Sequence, residues 1–143
     1  WVDATVSWIK NHLQRERLAF GPIDILLLSF HSIPQRRIEK KGDCYYRHVQ
    51  ESYHLLRENL SQVNLTHTHE NYQVIAAEKI FCVFQSSWGK EAQIGPSLEQ
   101  VLQQQFAAGH RRIAIYAPSF TVDCLETVLD LKLNLAKKLS AWG

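Results

Sequence analysis

The strongest constraint on the fold is a short, mostly apolar run at residues 23–30, which follows the Gly21-Pro22 break. A run of this length without regular alternation of polar and apolar residues is typical of a strand that is buried on both faces, as in a parallel sheet. Similar runs follow at residues 80–84 and 112–116. Because parallel strands need long crossover connections, we expect helices between them.

The segments around these runs have the spacing of amphipathic helices. Residues 6–18 carry Val6, Ile9 and Leu13 on one face, and further helices are predicted at 44–60, 97–106 and 122–139. Gly42-Asp43 predicts a turn and a helix cap, Ser97 a second cap, and the basic stretch 35–41 a loop. The alternation predicts one α/β domain over residues 1–143, a flavodoxin-like parallel sheet with helices on both faces and right-handed crossovers.

Composition excludes several classes of protein. Hydrophobic residues make up 45% of the 143 residues and charged residues 21%, which excludes a disordered chain. A net charge of +2 gives no reason to expect nucleic acid as a partner. Three widely spaced cysteines indicate reduced thiols and a cytoplasmic protein. No apolar run is long enough to span a membrane, no signal peptide opens the chain, and a first residue of Trp1 suggests a processed chain or a piece of a longer one.

Chemistry is expected at the carboxyl edge of the sheet, where parallel α/β folds bind their ligands. His31 directly follows the first strand, and its imidazole suits proton transfer and metal binding as well as a purely structural role. After the third strand, Asp123 and Glu126 share a helix face, as do Glu126 and Asp130. Acidic side chains at a helix start also stabilise the helix dipole, so capping is the alternative for Asp123 and Glu126.

Three other patterns are weaker. No glycine-rich phosphate loop follows any of the strands. His67 and His69, followed by Glu70, have metal-ligand types, but a surface loop is the simpler interpretation. The basic run 36–41 predicts a solvated segment, with attraction to an anionic substrate or membrane surface as the alternative.

Four segments together resemble the C-terminal half of the ferrochelatase family, whose patterns are SxHGxPxR, GDPY, QSRxG and PGFxxDCLET. They occur in the family's order and cover essentially the whole chain. They are 28–36 (LSFHSIPQR), 42–45 (GDCY), 84–89 (FQSSWG) and 118–127 (PSFTVDCLET). The resemblance implies an enzyme about twice as long, with two similar α/β domains and a porphyrin cleft between them. This chain would be the C-terminal domain.

The resemblance also implies roles for single residues. His31 matches the histidine that binds metal and takes the pyrrole protons, and Glu126 matches the glutamate that faces it across the porphyrin. Asp130 matches an acidic position in a row that passes metal inward, while Asn134 interrupts that row. The implied partners are a porphyrin, ferrous iron as a substrate, and the missing N-terminal domain. Peripheral membrane contact and a homodimer are further expectations.

Four departures from the family pattern stand out. Ser32 replaces a glycine, Cys44 a proline, Ser87 a basic residue and Gln93 a tryptophan. No cysteine cluster for an iron–sulfur centre is present, and no tightly bound cofactor is expected. Two alternatives stay open: a small chelatase that completes its cleft by homodimerisation, and a non-catalytic porphyrin- or haem-binding module.

Overall fold

A computed structural model describes residues 1–62, 75–86 and 91–142. Its strands and helices alternate along the chain. In order they are α1 (Val2–Phe20), β1 (Ile25–His31), α2 (Gln35–Lys41), α3 (Tyr45–Ser61), a 3₁₀ turn (Ala77–Lys79), β2 (Ile80–Gln85), α4 (Leu98–Ala107), β3 (Ile113–Tyr116), a π-helical segment (Glu126–Leu135) and α5 (Ala136–Trp142).

The three strands form one parallel sheet with β1 in the centre and the order β2-β1-β3. Leu26 of β1 lies opposite Ile80 of β2 and Ala114 of β3, and His31 lies opposite Gln85. The first six residues of β1 are buried, as expected for a central strand covered on both faces. The predicted parallel sheet is therefore confirmed.

Helices cover both faces of the sheet, and each face has its own hydrophobic core. On one face α1 and α3 pack against Leu26, Leu28 and Phe30. On the other face α4, the π-helical segment and α5 pack against Ile25 and Leu27. Consecutive residues of β1 thus serve opposite cores, which explains its unbroken apolar sequence.

The loop predicted for residues 35–41 is wrong, because these residues form the short helix α2. Pro34 precedes it, and Gly42 ends it in the left-handed conformation at φ +64°. Proline before a helix and glycine after it are common boundaries, and they outweigh the polar composition that suggested a loop. The basic residues of this run are therefore carried on a helix.

Side chains fix several of the other boundaries. The predicted cap at Ser97 is confirmed, since its hydroxyl accepts from the Gln100 N–H in a reciprocal capping box. At the start of α3 the N-cap residue is Cys44, while Asp43 supplies the capping oxygen to the Tyr45 N–H at 2.9 Å. The last predicted helix is split, because its first part is π-helical and only its end is α-helical.

One carboxylate joins the starts of two neighbouring strands. Asp24 Oδ2 accepts from the backbone N–H groups of Arg111 and Arg112, both at 2.9 Å. The Arg112 N–H is the main reason that the pKa of Asp24 lies below its ordinary value, and the Arg111 N–H acts in the same direction. Asp24 therefore stabilises the junction between β1 and β3 in its ionised form.

Candidate active site

The structure places His31 as the last residue of β1, at the carboxyl edge of the sheet. Its ring is part-exposed and lies 6.2 Å from the Phe120 ring, with the two planes tilted by 45°. Its backbone oxygen accepts a hydrogen bond of 2.8 Å from Tyr45 Oη. A rigid strand and two neighbouring aromatic residues thus position the imidazole.

Glu126 is the first residue of the π-helical segment and is also part-exposed. Its own backbone N–H lowers the pKa of Glu126 most, followed by a hydrogen bond from the Cys124 side chain. The positive form of the His31 ring lowers this pKa further by direct electrostatic attraction. Glu126, which begins the segment after the β3 loop, is therefore within electrostatic reach of His31, which ends β1.

Asp130 lies on the same segment but has a different partner. Its Oδ2 accepts from Ser86 Oγ at 3.1 Å, and Ser86 adopts the left-handed conformation at φ +61°, which is uncommon for a residue with a side chain. Asp130 and Asn134 line a cavity of about 350 Å³. Glu126 thus approaches His31, while Asp130 faces the turn that follows β2.

Asp123 does not join this group. Its carboxylate forms an exposed ion pair of 2.8 Å with Lys132 and accepts from Thr127 Oγ1 at 3.1 Å. The hydrogen bond from Lys132 is the main cause that lowers the pKa of Asp123. Asp123 precedes the N-cap residue Leu125, and the segment has no side-chain capping bond, so the Asp123 carboxylate binds two side chains of the segment and does not cap its backbone.

A buried polar pair lies beneath the site and was missed by sequence reasoning. Ser29 Oγ donates to Gln85 Oε1 at 2.5 Å, and both residues are at least 95% buried. Gln85 Nε2 has no hydrogen-bond partner among the described residues. The available signal was a serine inside an apolar strand, whose hydroxyl must find a partner once it is buried.

Two of the four departures from the family pattern have a visible structural setting. Ser32 is buried, and its hydroxyl donates to the Ile94 backbone oxygen at 2.9 Å, so the extra polar group is satisfied. Gln93 lines a cavity of about 260 Å³ together with Ile38 and Tyr46.

The other departures add less. Cys44 is an exposed free thiol, and Cys82 and Cys124 are free thiols as well. Ser87, His67 and His69 lie outside the described residues.

Large apolar side chains are exposed beside Glu126, on the loop before the π-helical segment and along that segment. Exposed apolar surface of this kind often marks an interaction site. These side chains are Val122, Leu125, Val128, Leu129 and Leu133, exposed by 39–74%.

His31 and Glu126 offer an imidazole nitrogen and a carboxylate, which divalent iron, zinc and copper all accept as ligands. No group of three or more His, Cys, Asp or Glu side chains suited to a metal occurs in the described part of the chain. None of the helices at 1–62, 75–86 and 91–142 is long and apolar enough to cross a membrane.

Fold and site together define an α/β protein with a histidine that ends the central strand of a parallel sheet and a carboxylate that begins the helical segment after the third strand. The sequence profile of the ferrochelatase family matches residues 1–143, and the chain belongs to that family.

Individual relatives agree with this assignment. A ferrochelatase of Agrobacterium fabrum is 34% identical over 92% of this chain, and one of Methylocella silvestris is 31% identical over the same share. A ferrochelatase of Xylella fastidiosa strain M12 is 33% identical over the whole chain. The chain spans only 33–39% of the length of these relatives.

Proposed function

We propose that this chain forms one wall of the active site of a ferrochelatase, which inserts ferrous iron into a porphyrin during haem biosynthesis. In this proposal the chain is the C-terminal domain of a two-domain enzyme, and a preceding domain provides the opposite wall. The observation that carries the proposal is the placement of His31 at the carboxyl end of β1, with Glu126 within its electrostatic reach, in a member of this family.

The chemistry of metal insertion needs these two groups. A divalent cation displaces two protons from the pyrrole nitrogens, so a base must stand at the centre of the ring. A neutral imidazole such as that of His31 can accept these protons. The ionised carboxylate of Glu126 attracts the cation and the protonated imidazole, and its lowered pKa keeps it charged.

The exposed apolar side chains beside Glu126 suit a flat, apolar macrocycle. A porphyrin held against them would exclude water from the reacting centre. A flat ring hides its nitrogen lone pairs, so clamping it in a bent shape between two walls would expose them to the metal. The porphyrin would be protoporphyrin or coproporphyrin.

Asp130 would act before the insertion step, as an acidic position that passes the cation toward Glu126. Its bond to Ser86 holds its carboxylate at the cavity. Asn134, which lines the same cavity, is neutral and would shorten the acidic row by one position. Asp130→Asn should therefore raise the KM for metal more than it lowers kcat.

The remaining expectations concern the surroundings of the enzyme. Iron would be a substrate in transit, with no tightly bound cofactor and no iron–sulfur cluster. The free thiols favour a reducing, cytoplasmic location. The exposed apolar side chains would favour a homodimer of the isolated chain or peripheral contact with a membrane.

The test uses the full-length protein and follows zinc or ferrous iron insertion by porphyrin fluorescence and absorbance. His31→Ala and Glu126→Gln should each lower kcat by about 10²–10⁴-fold, as expected for loss of a general base or its charged partner. Porphyrin affinity should change little, since apolar surfaces hold the ring. His48→Ala and Glu51→Gln, at exposed positions of α3, are the matched controls.

A non-catalytic binding module gives a different result. It would bind porphyrin and insert no metal at any iron concentration, even as the wild type. A symmetric dimer of the isolated chain that inserts zinc would instead support the small homodimeric chelatase. Either outcome would refute the two-domain proposal.

A further inference from the structure

The Tyr45 hydroxyl lies where the loops after β1 and β3 meet. Tyr45 Oη donates to the His31 backbone oxygen at 2.8 Å. Burial raises the pKa of Tyr45, and the neighbouring Ser119 side chain acts in the opposite direction. The phenol group thus binds the end of the central strand and lies beside the loop that leads to Glu126.

The other end of Tyr45 is fixed equally well. Its backbone N–H donates to Asp43 Oδ1 at 2.9 Å, and Asp43 Oδ2 pairs with Arg37 at 2.7 Å. The ring packs against the hydrophobic core that α1 and α3 share with the sheet. Tyr45 therefore joins the start of α3 to the end of β1 through hydrogen bonds at both ends of the residue.

The loop after β3 returns to the histidine. Ser119 is followed by Phe120, whose N–H donates to the Ala117 oxygen at 3.1 Å and whose ring contacts the His31 ring. Tyr45 thus holds the His31 backbone, and the His31 ring in turn contacts Phe120 on the loop after β3.

We propose that Tyr45 is a positioning residue, whose hydroxyl fixes the spacing between the His31 imidazole and the loop that carries Glu126. The consequence for catalysis rests on the proposed function, because the reaction needs both groups around one metal centre. A displacement of about 1 Å at a reacting group is enough to slow a reaction severely. The structural part of the proposal concerns the two loops alone.

The chain contains a matched control on the same helix. Tyr53 Oη donates to the Ile80 backbone oxygen at 2.8 Å, at the opposite end of β2 from the site. Tyr45→Phe and Tyr53→Phe therefore remove the same kind of bond and leave the same ring. A difference between the two variants reports the location of the bond.

The structural experiment measures the nuclear Overhauser effect between the His31 and Phe120 ring protons in the isotope-labelled chain. Tyr45→Phe should weaken it at least twofold, while Tyr53→Phe leaves it at the wild-type intensity. Ser119→Ala, at an exposed position, removes the hydroxyl that neighbours the Tyr45 phenol and should weaken the signal as well. If Tyr45→Phe fails to fold, Ser119→Ala still tests whether the His31–Phe120 ring contact depends on this site.

The catalytic experiment measures metal insertion by the full-length protein. Tyr45→Phe should lower kcat between about twofold and tenfold, the range for one lost hydrogen bond, with the KM for porphyrin unchanged. Tyr53→Phe should keep the wild-type kcat. An unchanged ring–ring signal in both Tyr45→Phe and Ser119→Ala would overturn the proposal.

The two readouts separate the two proposals. A weakened ring–ring signal in a protein that inserts no metal would refute the proposed function and leave the positioning role intact. A wild-type ring–ring signal in the Tyr45→Phe and Ser119→Ala variants of an active enzyme would refute the positioning role and leave the proposed function intact.

Discussion

The buried pair of Ser29 and Gln85 allows a quantitative test of the packing beneath the site. Ser29→Ala removes the only hydrogen bond that the structure gives to the Gln85 side chain within the described residues, so Gln85 Oε1 loses its partner and joins Nε2 as an unsatisfied buried polar atom. An unsatisfied buried polar group costs about 1–3 kcal/mol. We therefore expect Ser29→Ala to lower the free energy of unfolding by about 2 kcal/mol.

The assay is urea unfolding followed by tryptophan fluorescence. With an m-value of about 2 kcal/mol/M, the expected loss moves the midpoint by about 1 M urea. Ser140→Ala is the control, because Ser140 donates to the Ala136 oxygen on an exposed helix. Its effect should stay within about 0.5 kcal/mol.

A double variant tests the reasoning itself. Ser29→Ala combined with Gln85→Met replaces both polar groups by apolar ones of similar shape, which is nearly neutral when no polar atom is left unpaired. The double variant should therefore be more stable than Ser29→Ala alone. Equal or lower stability of the double variant would show that the unpaired amide is not the source of the loss.

Three further predictions concern other parts of the chain. Burial raises the pKa of Cys82 to about 12, so a thiol reagent at pH 8 should modify exposed Cys44 first and Cys82 only after unfolding. Cys44→Ser should remove the fast phase of labelling. Rapid labelling of Cys82 in the native protein would contradict its burial. The folded-state pKa of Asp24 is lowered, so the stability that Asp24 contributes is complete above the unfolded pKa of about 3.9 and is lost as the pH falls through the lower folded pKa. At pH values below about 4 the Tm should therefore decrease, and Asp24→Asn should make this decrease smaller. An identical pH profile of the variant would refute the role of Asp24. Ser97→Ala removes the cap of α4 and should lower the free energy of unfolding, measured in urea, by about 0.5–2 kcal/mol, and Ser97→Asp should keep most of that stability. No loss of stability in Ser97→Ala would contradict the capping box.

The central part of the fold follows from local sequence. The apolar run of β1, the helical spacing on either side and the Ser97 cap are short-range signals, and each is found where it was predicted. His31 at the end of β1 follows from the strand boundary alone. Its proximity to Glu126 needed the additional fact that parallel strands end at the same edge of the sheet.

The features that sequence reasoning missed depend on distant contacts. The pairs Ser29–Gln85 and Ser86–Asp130 join residues 56 and 44 positions apart, and no local pattern specifies either bond. The charged composition of residues 35–41 favoured a loop over the short helix α2, although Pro34 and Gly42 mark the ends of that helix. The π-helical geometry of Glu126–Leu135 differs from an α-helix only in hydrogen-bond register, which residue spacing did not reveal.

The burial of β1 has a consequence for how the chain can evolve. Residues 25–30 are enclosed by two cores, so substitutions there change how much folded protein a cell retains. His31 is the first position of the strand that reaches solvent, so a substitution there should have little effect on packing. Under the proposed function, selection for abundance and selection for catalysis would act on adjacent residues of one strand, and the boundary between them would be a single peptide bond.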